Sequence, residues 1–290
     1  MPIEDMKPSI TVIIPAFNED QTIGSVIRKI RELGQEYEIL VVDDSSTDRT
    51  AEIAKEEGAG VISHPYNKGN GASVKTGIRN AEGDYLVVID GDGQHDPNDI
   101  PRLVEHLGKY DLVVGARTRG SETLFHRSLG NWVFNVFASL VAGCRIPDLT
   151  SGFRAISKEI ALEFIHMFPN GFSLPATSTM AIITAGYNIK YIPIKIVHRK
   201  GKSKIRPIHD GIRFLIIIVR VAVFFKPLRV FLPIGLVIFL MFIGSALWYH
   251  QHGQRAIQPY NVMLFLSGLF VVLFGLISEQ IANLRFTLRK

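Results

Sequence analysis

Tyr85-Leu-Val-Val-Ile-Asp-Gly-Asp-Gly-Gln94 is the stretch on which the fold turns. Its first five residues are apolar without alternation, as in a strand covered on both faces, and Asp90-Gly-Asp-Gly93 then breaks the run. Tyr85 to Asp90 is therefore read as a buried strand ending in an acidic turn. Runs of the same kind stand at Ile10 to Pro15, Ile39 to Asp43, Gly60 to Ser63 and Leu112 to Ala116. Helical patterns separate them. Thr22 to Leu33 sets Ile23, Val26, Ile27 and Ile30 on one face, Thr47 to Glu57 carries Ala51, Ile53 and Ala54, and Ala72 to Ala81 follows a Gly-rich turn. Pro97 to Leu107 opens with Asp96 as N-cap and Pro97 in the first helical position. This βαβα order implies a mostly parallel sheet with right-handed crossovers, whose ligands sit beyond the carboxyl ends of the strands.

Three strands deliver acidic or polar side chains to that edge: Pro15-Ala-Phe-Asn-Glu19, Asp43-Asp-Ser-Ser46 and Asp90-Gly-Asp-Gly-Gln94. Each alone has an ordinary explanation, since Asp and Ser after a strand cap helices and Asp-Gly makes tight turns. Together they gather charge that repels itself unless a cation or a hydrogen-bonding ligand is present. Asp90 and Asp92 suit a hard divalent ion, Mg2+ or Mn2+, that also accepts diphosphate oxygens, with Gln94 as a further oxygen ligand. A calcium loop starting at Asp90 would need Gly at 95 and Glu at 101, where His95 and Pro101 stand. Gly69-Asn-Gly71 lacks the third glycine of a dinucleotide fingerprint, and no Walker loop occurs.

The apolar content rises sharply after Phe214. Val230 to Tyr249 is a run of twenty residues without a charge, enough to cross a hydrocarbon core about 30 Å thick. Tyr260 to Ile277 is a second uncharged run, so the two read as a transmembrane hairpin. Between Pro207 and Lys226, Arg213 and Arg220 interrupt a third apolar stretch and align with His209 and Arg206, a pattern that suits a helix lying in the interface. The division expected is a soluble domain over 1–205, an amphipathic juxtamembrane helix over 206–228, and two spanning helices within 229–290, at about 230–249 and 260–281.

Net charge is +5, but it is not spread evenly: Arg199, Lys200, Lys202, Lys204 and Arg206 lie together before the tail. Such a cluster favours anionic headgroups or phosphates at a bilayer over nucleic acid. Lys226, Arg229, Arg285, Arg289 and Lys290 flank the hairpin, against Arg255 in its loop. The positive-inside tendency places both termini, and the soluble domain with them, in the cytoplasm. The beginning Met1-Pro-Ile-Glu-Asp5 lacks signal-peptide character, and Cys144 has no partner for a disulfide within the chain. Gly244 and Gly268 are small residues through which hairpins could self-associate into a homo-oligomer.

The ordered set Val12-Ile-Ile-Pro-Ala-Phe-Asn-Glu19, Val41-Val-Asp-Asp-Ser-Ser46, Asn67-Lys-Gly-Asn-Gly71, Asp90 to Pro97, Gly115-Ala-Arg117 and Asp148-Leu-Thr-Ser-Gly-Phe-Arg154 resembles the inverting GT-A glycosyltransferases of family 2. Within them it is similar to the polyprenyl-phosphate sugar synthases, both the dolichol-phosphate mannose synthase type and the bacterial undecaprenyl-phosphate glucosyltransferase type. The resemblance implies a Rossmann-like GT-A domain and a nucleotide-sugar donor such as UDP-glucose or GDP-mannose. It implies that Pro15, Phe17, Glu19 and Asp44 hold the base and ribose, and that Asp90, Asp92 and Gln94 form the metal and diphosphate site. Arg117 and Arg127 match positions that hold the acceptor phosphate, and Arg199 and Lys204 a basic loop over the donor. With Asp92, these two arginines are the expected catalytic set. Phe172-Ser-Leu-Pro-Ala-Thr177 lacks the acidic residue common in mannose synthases, a departure that weakens the case for mannose.

Three rivals differ in kind. A nucleotidyltransferase normally has a Gly-rich, Arg-containing loop after strand one, where Pro15-Ala-Phe-Asn-Glu19 stands. A polysaccharide synthase with its own pore needs more than two spanning helices. A non-catalytic, membrane-tethered nucleotide-binding protein is the remaining alternative.

Overall fold

The structure is a computed structural model that describes residues 9–34, 36–117, 132, 135–136, 138–140, 142–171, 173–196, 223–253 and 258–287. They fall into two compact units, one comprising the residues up to 136 and 144–207, the other 137–143 and 208–290.

The first unit is a seven-stranded sheet in the order β3-β2-β1-β4-β6-β5-β7. The strands are β1 (Ile10–Ala16), β2 (Tyr37–Asp43), β3 (Gly60–Ser63), β4 (Tyr85–Val88), β5 (Leu112–Arg117), β6 (Arg154–Ser157) and β7 (Ile189–Ile194). The pairs β1–β2, β1–β4, β2–β3 and β5–β7 are parallel, while β6 runs antiparallel between β4 and β5. The sheet is thus mostly parallel, as the strand–helix alternation implied. β4 stops at Val88, so Asp90 stands beyond the strand and not within it.

The helices are α1 (Ile23–Glu32), α2 (Thr50–Glu56), α3 (Asn70–Asn80), α4 (Ile100–Val104), α5 (Lys158–Phe164) and α6 (Leu174–Thr184). α1 forms because its Ile and Val recur at helical spacing, and Ile23, Val26, Ile27 and Ile30 are all buried. They pack on Val12, Ile14, Val41, Val87, Ile89 and Phe153 in the main core. Before α4, Asp96 caps a single 3-10 turn by accepting from the Asn98 amide at 3.2 Å. Ser45 and Ser46 do not cap α2. Asp48 serves that end, accepting from the Thr50 amide at 3.0 Å.

In the second unit α7 (Leu228–Gln251) and α8 (Pro259–Thr287) pack side by side. Each contains a window long and apolar enough to cross a membrane, with mean hydropathy 2.6 and 2.2. Leu232, Leu236, Leu240, Met263, Phe270 and Phe274 stand exposed along them. So much open apolar surface suits lipid, not water. Gly235 and Gly275 permit the close helix contact: a Cβ on Gly275 would lie 2.7 Å from the Phe231 Cβ. Gly268 also faces α7, against Ile238 and Phe239, so it serves the hairpin itself, and only Gly244 of the two small residues singled out faces open space. The Leu228 amide donates to the Glu279 carboxylate at 3.1 Å, which caps the start of α7. The juxtamembrane helix expected over 206–228 lies mostly outside the described residues.

Candidate active site

The carboxyl ends of β3, β2, β1 and β4 lie side by side, with Ala16 opposite Asp43 and Asp43 opposite Ser63 in register. Pro15 is buried in β1 beyond its last pairing with β4, where its missing N–H leaves no ladder bond unmade. After Ala16 the chain turns at Asn18, whose φ is +55°. The Asn18 amide donates to Ser46 Oγ at 2.9 Å, its Oδ1 accepts from the Thr47 amide at 2.8 Å, and the Glu19 amide donates to Thr50 Oγ1 at 2.8 Å. This lacing holds the 17–19 turn against the 46–50 turn and leaves the Phe17 ring 45% exposed at the edge.

Asp44 is buried and accepts from His64 Nδ1 at 2.7 Å, the Lys68 amide at 2.8 Å and the Gly69 amide at 2.8 Å. His64 Nε2 in turn meets Thr76 Oγ1 at 2.9 Å. Burial alone would raise the Asp44 carboxyl, but the bonds from His64, Lys68 and Gly69 outweigh it and hold it below the usual carboxylate range. Asp44, expected to hold base or ribose, is thus first a clamp on the 64–69 turn. That turn leads into α3 at Gly69-Asn70-Gly71, where a Cβ on Gly71 would collide with the Pro169 carbonyl. Glycine is required there by the close approach of a second backbone.

Asp90 and Asp92 follow β4. The Gly91 carbonyl accepts from Thr22 Oγ1 at 2.7 Å and the Gln94 amide donates to Asp92 Oδ1 at 3.1 Å, fixing the turn. A Cβ on Gly152 would come 2.9 Å from Asp90 Oδ2, so the loop before β6 forms a close wall. Burial pushes the Asp90 carboxyl up, the nearby His95 pulls it down, and the like charge of Asp92 adds to the rise. His95 sits with Nε2 3.9 Å from Asp90 Oδ2 and its ring 5.3 Å from that of Phe153.

Two arginines flank this wall. Arg117 donates from Nε and Nη2 to the two oxygens of Asp148 at 2.6 and 2.8 Å, and from Nη2 to Thr150 Oγ1. Arg117, expected at the acceptor phosphate, is therefore anchored with one edge of its guanidinium on a nearly buried carboxylate. Arg154 is buried: Nη1 donates to the Pro175 carbonyl at 3.2 Å and Ser178 Oγ at 2.6 Å, Nη2 to the Ser151 carbonyl. Burial lowers it to about 10. Asp148, Arg154, His95 and His64 were not singled out by type from the sequence. Asp148 and Arg154 end a quoted motif, but nothing local shows that Asp148 pairs with a residue 31 positions earlier. Arg127, Arg199 and Lys204 lie outside the described residues.

Among the described residues no group of three or more His, Cys, Asp or Glu gathers as a metal cage. Two carboxylates and an amide oxygen are nevertheless a fitting set for Mg2+ or Mn2+, which keep waters and take phosphate oxygens in place of an all-protein cage. Burial is the main cause of the raised Asp90 carboxyl, with the Asp92 charge adding to it.

The model of glycosyl transferase family 2 matches residues 11–164, and that of the GtrB C-terminal hairpin matches 226–284. A dolichyl-phosphate hexose transferase of Haloferax volcanii is 32% identical over 70% of this chain and 89% of its own length. An undecaprenyl-phosphate mannosyltransferase of Micrococcus luteus is 28% identical over 67% and 86%. The crystal structure of glucosyl-3-phosphoglycerate synthase from Mycobacterium tuberculosis with Mn2+, UDP and glucosyl-3-phosphoglycerate superposes with a TM-score of 0.60 at 24% identity, covering 74% of this chain and 80% of that one.

Proposed function

This chain belongs to glycosyl transferase family 2 and is a transferase of polyprenyl-phosphate sugar type, and we propose that it moves one sugar from a nucleoside-diphosphate donor to a polyprenyl phosphate with inversion at the anomeric carbon. The observation that carries this is the presence on one chain of an acidic turn beyond β4 and a two-helix apolar hairpin.

The acceptor is a phosphate monoester with a second pKa of about 6, already largely dianionic at neutral pH. It needs no strong general base. Its oxygen attacks the anomeric carbon as the bond from that carbon to the diphosphate breaks, and the nucleoside diphosphate leaves. Asp90, Asp92 and Gln94 would hold Mg2+ or Mn2+. When bound, that ion supplies Lewis-acid stabilisation of the departing diphosphate. The 17–19 turn with Phe17 and Glu19, beside the Asp44 clamp, receives the nucleoside.

Arg117 is preset by Asp148 through Nε and Nη2, so its Nη1, which bonds none of the described residues, can meet an acceptor oxygen without further ordering of the side chain. Arg127, Arg199 and Lys204 complete the neutralisation of two anionic substrates. In this reading the hairpin anchors the chain in the bilayer that carries the acceptor, residues 206–228 form the juxtamembrane helix of the sequence expectation, and both termini are cytoplasmic. One relative's name gives mannose and the other's only a hexose, so the sugar is left to experiment. The test is purified protein, a divalent ion, polyprenyl phosphate and a panel of labelled nucleotide sugars. One donor is expected to label the lipid. Nucleotide binding without transfer from any donor would favour a non-catalytic tether.

A further inference from the structure

Tyr66 projects from the turn after β3 with 64% of its surface exposed, more than any other large apolar or aromatic side chain described in the sheet unit. A tyrosine left so open has no core to cover it there. Its turn is not loose, because Asp44 holds it on both sides, through the His64 ring before it and the Lys68 and Gly69 amides after it. The Lys68 ammonium lies 5.4 Å from the centre of the Tyr66 ring, a cation–π contact that steadies the ring and sets a positive charge beside it.

The second exposed ring at this edge is Phe17, after β1. β2 alone separates β1 from β3, and Ala16, Asp43 and Ser63 are in register. The strand ends from which the two turns leave, Ala16 and Ser63, are therefore about two strand spacings apart, roughly 10 Å. A planar heterocycle fits over the end of β2 between two turns so spaced.

We infer that Tyr66 is a binding residue for the donor's nucleobase, its ring forming one wall of a stacking slot whose other wall is Phe17, with Lys68 facing the anionic diphosphate. This rests on the reading of the chain as a nucleotide-sugar transferase. Stacking reads the flat face of a base and not its hydrogen-bonding edge, so this wall strengthens binding to nucleosides as a class. Choice among bases falls to the groups at the end of β2.

The experiment is calorimetric binding of UDP, GDP and inorganic pyrophosphate, each with Mn2+, to the full chain in detergent, for wild type, Tyr66→Ala and Tyr66→Phe. Because Tyr66 is exposed, both variants are expected to melt with the wild type. Tyr66→Ala is expected to weaken the preferred nucleoside diphosphate roughly tenfold. Tyr66→Phe keeps its affinity, and pyrophosphate, having no base, binds all three proteins alike. Unchanged nucleotide affinity in Tyr66→Ala overturns the inference while leaving the transferase reading intact. So does an equal loss of pyrophosphate, which would trace the effect to the turn, or an equal loss in Tyr66→Phe, which would trace it to the hydroxyl. A wild-type chain that binds neither nucleotide overturns both.

Discussion

Replacing Asp148 by Asn tests whether the wall of the active site is built on one ion pair. The wild-type carboxylate accepts from Arg117 Nε at 2.6 Å, Nη2 at 2.8 Å and the Arg117 amide at 3.2 Å, and from the Thr150 amide at 3.1 Å. The variant leaves the guanidinium without a counter-charge in a site where its side chain is 23% exposed. Breaking a fully buried pair costs about 3–5 kcal/mol, and the remaining exposure of Arg117 brings this down to about 2–3 kcal/mol. For a unit of this size that lowers the melting temperature by roughly 4–12 °C. Burial raises the Asp148 carboxyl but Arg117 more than reverses it, so the folded value lies below the usual 3.8. A depressed carboxylate stabilises the fold above its unfolded pKa and loses that contribution as pH falls through the folded value. The gap between wild type and Asp148→Asn is thus constant from neutral pH down to about 4 and closes below it. Thermal melts of wild type, Asp148→Asn, Arg117→Met and the double variant across that range measure both the cost and the coupling. Additive single effects, or a gap unchanged in acid, would refute the pairing as the source of the stability.

Other outcomes follow from the same structure. Asp92→Asn is expected to abolish turnover with the melting temperature retained, and near-full activity would remove it from the metal site. Gly275→Val drives a side chain into Phe231 and is expected to cost about 1–3 kcal/mol through overpacking, read as faster proteolysis of the hairpin in detergent. Glu279→Ala leaves the Leu228 amide without its cap, at a cost of about 1 kcal/mol by the same assay. Reporter fusions at either end are expected to report cytoplasm, and a periplasmic or external signal from one of them would contradict the charge-based orientation.

What the sequence disclosed depended on whether the signal was local. β1 to β5 were legible because their β-branched runs end in turn residues, and α1 because its isoleucines repeat at helical spacing. The acidic edge followed from topology alone. β6 was hidden since its four residues include the buried Arg154, which breaks any apolar pattern, and β7 because Lys190 and Pro193 punctuate it. α6 is apolar on all sides and offers no amphipathic rhythm. Partnerships such as Arg117 with Asp148 or His64 with Asp44 join residues distant in sequence, and residue type does not announce them. Gly268 was visible as a small residue, but its orientation toward α7 is a property of the hairpin.

If the acidic turn and the hairpin serve one reaction, the decisive measurement is the fate of labelled sugar when polyprenyl phosphate and a soluble phosphate monoester compete in detergent for the same donor. Label is expected in the lipid phase, with nucleoside diphosphate released in equal amount and loss of both on chelation of the divalent ion. Label appearing only on the soluble acceptor, at the same rate with the hairpin match removed from 226 onward, would contradict it.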